Sequence, residues 1–478
     1  MTSPAQYQSP LTTRYASAEM QEVWSAESRA RLWRRLWVAL AEQQRRLGVD
    51  IPDTAIAEMR AQVDNADLDA VTGYERRFRH DVMAHIHHFG DQAPTARPFI
   101  HLGATSAFVT DNAELVVMRD ALRLLLARVV SVLTALRDFA DEHRERPTVA
   151  YTHFQPAQLT TVGKRATMWL QDLMMDAESM RDLVATLPFR GCKGTTGTQA
   201  SYLELFGGDH DKVRELDRGV AAAFDFAGSI AVTGQTYTRK IDSRVMDVLS
   251  GIGQSASKLA TDLRLLQHEG EVLEPVEPDQ IGSSAMPYKR NPMRCERVCA
   301  LARYVIALRD NAAYTAATQW LERTLDDSAN RRLVLPDAFL AADALLILLT
   351  NVAQGLEVRE ATTRRNVERV MPFMATERWL LLGVTAGGDR QALHEVIRQA
   401  SRAVSEAMEH GADNDLLDRL AGHESFAAVD RAALEAELDP AGYVGRCPEQ
   451  VVEFIRGPLA ALLGSIETFT VEKTEVTV

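Results

Sequence analysis

The sequence predicts an all-α protein whose centre is a bundle of unusually long helices. Across residues 111–146, apolar side chains recur at spacings of three and four, beginning with Leu115 and Met118, as they do on one face of an α-helix. Asp111 is expected to cap the first turn, and Pro147 to stop the helix. At ~1.5 Å per residue this helix would be about 50 Å long, so it needs partners of similar length along its face.

Four further segments show comparable apolar spacing and supply those partners. They cover residues 160–186, 239–268, 293–319 and 330–354. Five long helices with little strand signal between them favour an elongated bundle. The flanking segments carry shorter helical patterns broken by proline and glycine. We therefore expect three helical domains: an N-terminal domain at 1–110, a central long-helix bundle at 111–358 and a C-terminal domain at 359–478.

The composition agrees with packed helices and argues against a nucleic-acid-binding surface. Aromatic residues make up 6% of the 478-residue chain, and its apolar content comes mainly from Leu, Ala and Val, which suit helices better than sheets. With 53 basic and 66 acidic residues, the formal net charge is −13. Nucleic-acid binding needs a basic stripe, so we expect no such partner. A few local basic residues can still attract a small anionic substrate.

The sequence gives no sign of export or of a membrane span. Residues 1–10 are polar and lack the basic and apolar regions of a secretion signal. A transmembrane helix needs ~18 or more apolar residues with few charges, and we find no such uncharged stretch. We therefore expect a cytoplasmic protein.

The four cysteines are too few for a disulfide framework in a chain of this length. Cys295 and Cys299 stand four residues apart on a predicted helix, whereas Cys192 and Cys447 are isolated. No further ligands of suitable spacing lie near the first pair, so we expect no metal site. A structural role is expected for Cys295, and the redox sensitivity of Cys295 and Cys299 is left open.

The most distinctive local segment is residues 282–292, Gly-Ser-Ser-Ala-Met-Pro-Tyr-Lys-Arg-Asn-Pro. Its small residues permit a flexible loop that could close over a ligand. Asn291 is expected to cap the following helix, with Pro292 in its first turn. By composition alone, a solvated loop before a well-capped helix is the simpler interpretation.

This segment and seven others together closely resemble the adenylosuccinate lyase family of the fumarase/aspartase superfamily, in the branch that includes the animal enzyme. The other motifs are residues 14–17 (RYAS), 79–85 (RHDVMAH), 101–106 (HLGATS), 152–158 (THFQPAQ), 193–199 (KGTTGTQ), 233–237 (TGQTY) and 322–328 (ERTLDDS). The loop motif is typical of the superfamily, and its Pro-Tyr-Lys-Arg form and the other motifs indicate the purine enzyme.

The resemblance implies a fumarase/aspartase-like fold, a homotetramer built through the bundle, and active sites that draw on three subunits each. It implies a C–N lyase that acts by β-elimination on small-molecule nucleotides without a cofactor. The reactions would release fumarate from adenylosuccinate, giving AMP, and from succinyl-aminoimidazole-carboxamide ribotide, giving AICAR.

Carried over residue by residue, the resemblance implies that Ser283 is the general base and His153 the general acid. Proton removal builds negative charge on the substrate carboxylate, which needs fixed positive charge such as that of Lys289. The departing nitrogen must be protonated, which an imidazolium can do near neutral pH. Glu296 would orient His153, and His80 would assist it. How Ser283 is activated stays open.

The resemblance also implies a substrate-binding shell. Lys289 would hold the succinyl carboxylates with Thr105, Ser106, Gln235 and Asn291. The phosphate would be held by guanidinium forks and hydroxyls, contributed by Arg14, Tyr15, Arg323, Ser328 and Arg332. Arg79, His80, Asp81 and Arg297 would complete the shell.

Two other hypotheses stay open. One is a different fumarate-releasing lyase of the superfamily, such as argininosuccinate lyase, whose substrate has no phosphate for Arg14 or Arg323. The other is a catalytically silent helical homologue, because fold alone does not establish function.

Overall fold

The computed structural model describes residues 6–467, which form helices and two small two-stranded sheets, so the all-α prediction is confirmed. The chain begins with a short π-helical turn and five helices. These are the turn Leu11–Tyr15, α1 (Ala18–Val23), α2 (Ala26–Arg46), α3 (Asp53–Ala61), α4 (Leu68–Phe78) and α5 (Asp81–Gln92).

Five long helices form the central bundle, close to the predicted ranges. They are α6 (Ser106–Glu142), α7 (Val162–Thr186), α10 (Lys240–His268), α11 (Met293–Ala317) and α12 (Asp326–Gln354), with the short α8 (Ala200–Leu205) and α9 (His210–Ala222) between them. Helix α10 packs on α7, α11 and α12, while α6 packs on α7 and α12. Every long helix thus has partners along its length.

The predicted start of α6 is wrong. The helix begins at Ser106, and Thr105 occupies the N-cap position without a side-chain capping bond. Asp111 lies inside the helix and is 2% exposed. Its carboxylate accepts hydrogen bonds from the Tyr237 N–H and the Arg239 guanidinium. An acidic residue that resembles a cap in the sequence is therefore a buried partner for distant groups.

The sequence did not indicate the two small sheets. β1 (Pro147–Thr152) pairs antiparallel with β2 (Gln155–Thr161), and β3 (Val272–Leu273) pairs antiparallel with β4 (Glu357–Val358). The first is a hairpin between α6 and α7. The second joins the chain just after α10 to the chain just after α12, which fixes the base of the segment that leads into the 282–292 loop.

Shorter helices follow the bundle. They are α13 (Glu360–Met374), α14 (Thr376–Thr385), α15 (Arg390–Glu409), α16 (Leu416–Ala421), α17 (Arg431–Ala436), α18 (Cys447–Phe454) and α19 (Ala460–Ser465), with 3₁₀ turns at Glu424–Phe426 and Pro440–Tyr443 and a π turn at Ile455–Leu459. Trp379, Leu393, Phe426 and Leu434 belong to a core separate from that of the bundle. The N-terminal helices share the bundle core. The three domain boundaries stay predictions.

Helix α12 is apolar and long enough to cross a membrane by length and composition alone, with a window of mean hydropathy 2.0. However, 72% of that window is buried inside the protein. The helix also carries Asp343, which is fully buried and paired with Arg128 of α6. We interpret α12 as a core helix of the bundle.

A buried network of charges ties the starts of α6, α10 and α12 together. The Arg239 guanidinium contacts Asp111 at 3.2 Å and Asp327 at 2.7 Å. One turn away from Asp327, Arg331 contacts Asp242 of α10 at 2.7 Å. Burial alone would lower the pKa of Arg239, but the adjacent Asp111 carboxylate raises it. The Arg239 guanidinium thus stays charged in the core because two carboxylates lie against it.

Replacing Arg239 by Met should destabilise the fold strongly. It would leave the Asp111 and Asp327 carboxylates buried without their cation, and breaking a buried pair in this way costs about 3–5 kcal/mol. Thermal or urea unfolding measures the loss. The matched control is Arg214→Gln, since the Arg214–Asp211 pair is exposed and such pairs contribute little. Equal, small effects of both changes would contradict a structural role for the network.

Asp176 of α7 should make stability depend on pH. Burial against α10 raises its pKa to about 6, with a Ser255 hydrogen bond lowering it and Asp172 raising it. Because its pKa in the unfolded chain is about 3.9, the folded state favours the protonated form. The stability present below about pH 4 is therefore lost as pH rises through about 6.

Asp176→Asn should accordingly stabilise the protein at pH 8 but hardly at pH 4. The gain at pH 8 is at most about 3 kcal/mol, at about 1.4 kcal/mol per unit of pKa shift, and less after solvent screening. Thermal unfolding at the two pH values measures it, with the exposed Asp211→Asn as control. A change in melting temperature that is the same at both pH values would show that ionisation of Asp176 is not involved.

Candidate active site

The 282–292 segment forms an exposed loop between β3 and α11. Its Ser283 hydroxyl accepts hydrogen bonds from the backbone N–H groups of Ala285 at 3.3 Å and Met286 at 3.1 Å. A Cβ on Gly282 would lie 2.2 Å from the Lys289 carbonyl oxygen, so only glycine fits where the two arms of the loop meet. The loop thus holds Ser283 in a defined turn near its tip.

The predicted capping role of Asn291 is wrong. Its side-chain amide donates to the Gly282 carbonyl at 2.8 Å and so closes the loop. Helix α11 begins at Met293, with Pro292 at the N-cap position. The cap comes from the buried Glu274, whose carboxylate accepts from the N–H groups of Arg294 at 3.0 Å and Cys295 at 2.9 Å. A carboxylate from a distant segment thus replaces the local cap.

Hydrogen bonds hold both arms of this loop at its base, whereas its tip is exposed to solvent. Arg294 donates to the Pro275 carbonyl at 2.6 Å and to Glu277 at 3.0 Å, which holds the first arm. Gln267 donates to the Arg290 carbonyl at 2.9 Å, which holds the second. At the tip, Tyr288 is 83% exposed. This arrangement suits a lid whose tip moves while its base stays in place.

His153 lies at the tip of the β1–β2 hairpin. Thr152 pairs with Gln155, so His153 and Phe154 form a two-residue turn, and both have positive φ, 54° and 59°. Such hairpin turns normally contain Asn and Gly, and side chains larger than these in left-handed conformations are strained and often functional. The Phe154 side chain is 80% exposed. The hairpin thus displays His153 away from its own subunit.

His80 lies where α5 and α6 begin. Its Nδ1 accepts the Met83 N–H at 3.2 Å, so the proton of the neutral ring is on Nε2. This Nε2 lies 3.5 Å from the Ser106 hydroxyl. Thr105 and Ser106 start the 37-residue helix α6, whose N–H groups and positive dipole end attract anions. The arrangement can therefore bind a carboxylate.

The start of α12 adds a positively charged group beside this region. Arg332 contacts Asp81 at 2.9 Å, next to His80 in the chain, while Arg79 adopts a left-handed conformation at the end of α4. Arg323 lies 3.7 Å from the buried Asp327. The Gln235 N–H donates to the Glu322 carbonyl at 2.9 Å, which holds Gln235 beside this segment, and Ser328 is half-buried in the first turn of α12.

Arg14 and Tyr15 belong to the π-helical turn that packs on α12. The Arg297 guanidinium lies 5.7 Å from the Tyr15 ring. Glu296 lies in the first turn of α11 and its side chain is exposed; Arg297 is the next residue. The N-terminal segment and α11 are therefore neighbours in one subunit.

Within one subunit the expected residues fall into separate groups. One surrounds the starts of α5, α6 and α12, a second joins Arg14, Tyr15 and Arg297, a third is the hairpin tip, and a fourth is the loop. Across residues 6–467, the His153 ring makes no hydrogen bond or ion pair. The predicted contact of Glu296 with His153 is thus absent from the single subunit. A cavity of about 430 Å³ between α1, α2 and α6 contains none of the expected residues.

The 193–199 motif has a structural explanation. The buried Lys193 contacts Asp217 at 2.6 Å, and the amide of Asn112 in α6 exchanges hydrogen bonds with Gly191 at 2.9 and 3.2 Å. These contacts anchor the loop to the bundle. Neither Asn112 nor Glu274 was expected from the sequence.

Three of the four cysteines agree with a structural role. Cys295 is 1% exposed, and burial raises the pKa of its thiol, which disfavours the reactive thiolate. Cys192 and Cys299 are also buried. In the part of the chain that the structure describes, no group of three or more His, Cys, Asp or Glu residues is arranged to hold a metal ion.

Comparisons with known proteins agree on one family. A family model described as lyase matches residues 49–307, and one described as adenylosuccinate lyase C-terminus matches residues 372–454. The adenylosuccinate lyase of Schizosaccharomyces pombe is 47% identical over 99% of both chains. Those of Saccharomyces cerevisiae and of the animal Schistosoma mansoni are 48% and 47% identical over 94% of both chains.

Solved structures show the same fold at lower identity. A 3-carboxy-cis,cis-muconate lactonizing enzyme from Pseudomonas putida has a TM-score of 0.82 at 24% identity, over 95% of this chain and 99% of that one. A fumarate lyase from Mesorhizobium sp. BNC1 has a TM-score of 0.78 at 24% identity, over 95% of this chain and 100% of that one. The resemblance seen in the sequence motifs is confirmed: the chain is a lyase of the adenylosuccinate lyase family.

Proposed function

We propose that this enzyme cleaves adenylosuccinate to AMP and fumarate, and by the same β-elimination releases fumarate from succinyl-aminoimidazole-carboxamide ribotide to give AICAR. The observation that carries the proposal is the 47% identity to an adenylosuccinate lyase over 99% of both chains. At this coverage, the segments proposed here to contact the substrate lie within the matched length.

Ser283 is the proposed general base. A serine hydroxyl is a weak base, but the Ala285 and Met286 N–H groups donate to its oxygen. Hydrogen bonds to a charged form favour that form, so the two N–H groups would stabilise the alkoxide. Lys289 on the same loop would add positive charge when the lid closes and excludes water.

His153 is the proposed general acid, assisted by His80. Because His153 is exposed at the hairpin tip, its side chain could enter a site formed with other subunits. There, Glu296 of a neighbouring subunit would favour the charged imidazolium, which protonates the departing nitrogen. His80 presents an Nε2–H donor beside Ser106, so it can hold a substrate oxygen.

Two sets of residues are proposed to bind the two ends of the substrate, the succinyl group and the phosphate. Thr105, Ser106 and Gln235, with Lys289 and Asn291 from the lid, would hold the succinyl carboxylates. The phosphate would be held by Arg14, Tyr15, Arg323, Ser328 and Arg332, with Arg79, Asp81 and Arg297 completing the shell. Asp81 already contacts Arg332, so it would orient that guanidinium towards the phosphate.

A homotetramer with shared active sites completes the proposal. Large apolar side chains are exposed around the expected site segments, as at Phe154 (80%), Tyr288 (83%) and Leu321 (85%). Apolar groups exposed in this way are typical of surfaces that a partner covers, and closed symmetric assemblies are the common solution. A cytoplasmic location stays a prediction.

The enzyme should release fumarate, followed by absorbance, from both nucleotides. Ser283→Ala should lower kcat by about 10³-fold or more, within or above the usual contribution of acid–base catalysis, while gel filtration and circular dichroism stay unchanged. Ser284→Ala, one residue along the same loop, is the control and should retain activity. A folded wild-type tetramer that released no fumarate would refute the proposed function. Full activity of Ser283→Ala would refute only the assignment of the base.

Mixing two inactive variants should restore activity if His153 and Ser283 of one site come from different subunits. His153→Gln and Ser283→Ala subunits, refolded together in equal amounts, would place both intact residues in about a quarter of the sites of a random tetramer. Mixing Ser283→Ala with Lys289→Met is the control, because both residues lie on one loop and no site becomes intact. Recovery in neither mixture would show that the site is not shared in this way.

A further inference from the structure

A buried ion pair in the bundle reaches the N-terminal arm, defined here as residues 11–24. The Asp343 side chain, in the middle of α12, is fully buried. One carboxylate oxygen accepts the backbone N–H of Ser17 at 2.7 Å, and the other accepts from Arg128 of α6. Arg128 also contacts Glu19 at 2.7 Å. We call Asp343 and Arg128 the clasp, since they join α12, α6 and the arm.

Stability alone does not account for the clasp. A buried ion pair is often no more stabilising than apolar side chains of similar volume, and between Ala338 and Gln354 Asp343 is the one charged residue. The Ser17 N–H lies outside the hydrogen-bonded turns of α1 and is buried, so it needs an acceptor. Asp343 supplies it from inside the bundle.

Contacts on either side of Ser17 also place the arm: its π-helical turn packs on α12. The Ala16 N–H donates to the Leu11 carbonyl at 2.8 Å, which closes the π-helical turn. After α1, the Trp24 ring packs 5.3 Å from the Phe339 ring, one turn before Asp343 on α12. The arm is thus held from both sides of Ser17.

We propose that Asp343 is a positioning residue that fixes Arg14 and Tyr15 for the phosphate of the substrate. These residues precede Ser17 by three and two positions, so the Ser17–Asp343 hydrogen bond sets where their side chains begin. Tyr15 in turn meets Arg297 of α11. The inference rests on the proposed function, which assigns Arg14 and Tyr15 to the phosphate. Asp343 itself acts only through the arm.

The test replaces the clasp by apolar side chains, in the double variant Asp343→Leu with Arg128→Met. Removing both charges leaves no fully buried ion unpaired, since Glu19, which loses Arg128, is partly exposed, so the protein should fold. The KM for adenylosuccinate and the inhibition constant of AMP should both rise about tenfold, equivalent to about 1.4 kcal/mol of binding. The kcat and the inhibition constant of fumarate, which carries no phosphate, should change less than about threefold.

Ser17→Ala is the matched control. It removes the hydroxyl that accepts from Met20 at the start of α1 but keeps the backbone N–H that Asp343 accepts. It should therefore leave the AMP inhibition constant unchanged. If the double variant does not fold, Asp343→Ala decides instead, because it removes the acceptor for the Ser17 N–H while Arg128 keeps Glu19 as a partner. The same rise is expected for AMP and not for fumarate.

Two outcomes overturn the inference: an unchanged AMP constant in a folded variant, or equal losses for AMP and fumarate. The latter would indicate a general structural effect. Failure of the proposed function is separate, since it would appear in the wild type as absent fumarate release.

Discussion

The geometry of the candidate site depends on the buried contact of Arg239 with Asp111 and Asp327. Asp111 lies in the second turn of α6, and Asp327 in the first turn of α12, so one guanidinium fixes the starts of two long helices. Ser106 lies at the start of α6 and Ser328 at the start of α12. Charges in a core are expensive unless each is compensated, so sliding α6 past α12 would separate carboxylates from the cation that they share. The network therefore favours the register of the bundle in which these charges meet.

Periodicity was enough to find the long helices, because their burial on several sides forces apolar residues to recur at helical spacing. It was not enough to find where α6 begins. Asp111 has the chemistry of a cap, and nothing local distinguishes a cap from a carboxylate that meets Arg239 from another part of the chain. The prediction that Asn291 caps α11 was wrong for the same reason, because the cap is Glu274, which tertiary structure brings to the start of that helix. The β1–β2 hairpin was missed because its turn, His153-Phe154, lacks the usual Asn-Gly signal.

The site residues were found by resemblance in motif rather than by physical pattern, and the structure gives local reasons for several of them. Gly282 permits the arms of the lid to touch, and His80 has its proton directed by the Met83 N–H. The proposed meeting of His153 with Glu296 or Ser283 is not present in a single chain. Such a contact would form between surfaces of different subunits, each of which looks like an ordinary exposed segment by itself.

The turn that presents His153 has a consequence for efforts to make this enzyme more robust. Side chains at two successive left-handed positions cost free energy that Asn and Gly would largely avoid, so stability alone would favour Asn-Gly at residues 153 and 154. A redesign guided by backbone preferences would choose that pair early and gain a firmer hairpin. It would also remove the imidazole of His153, the proposed general acid. Thermal unfolding would then show a higher melting temperature in a variant that has lost its proposed acid.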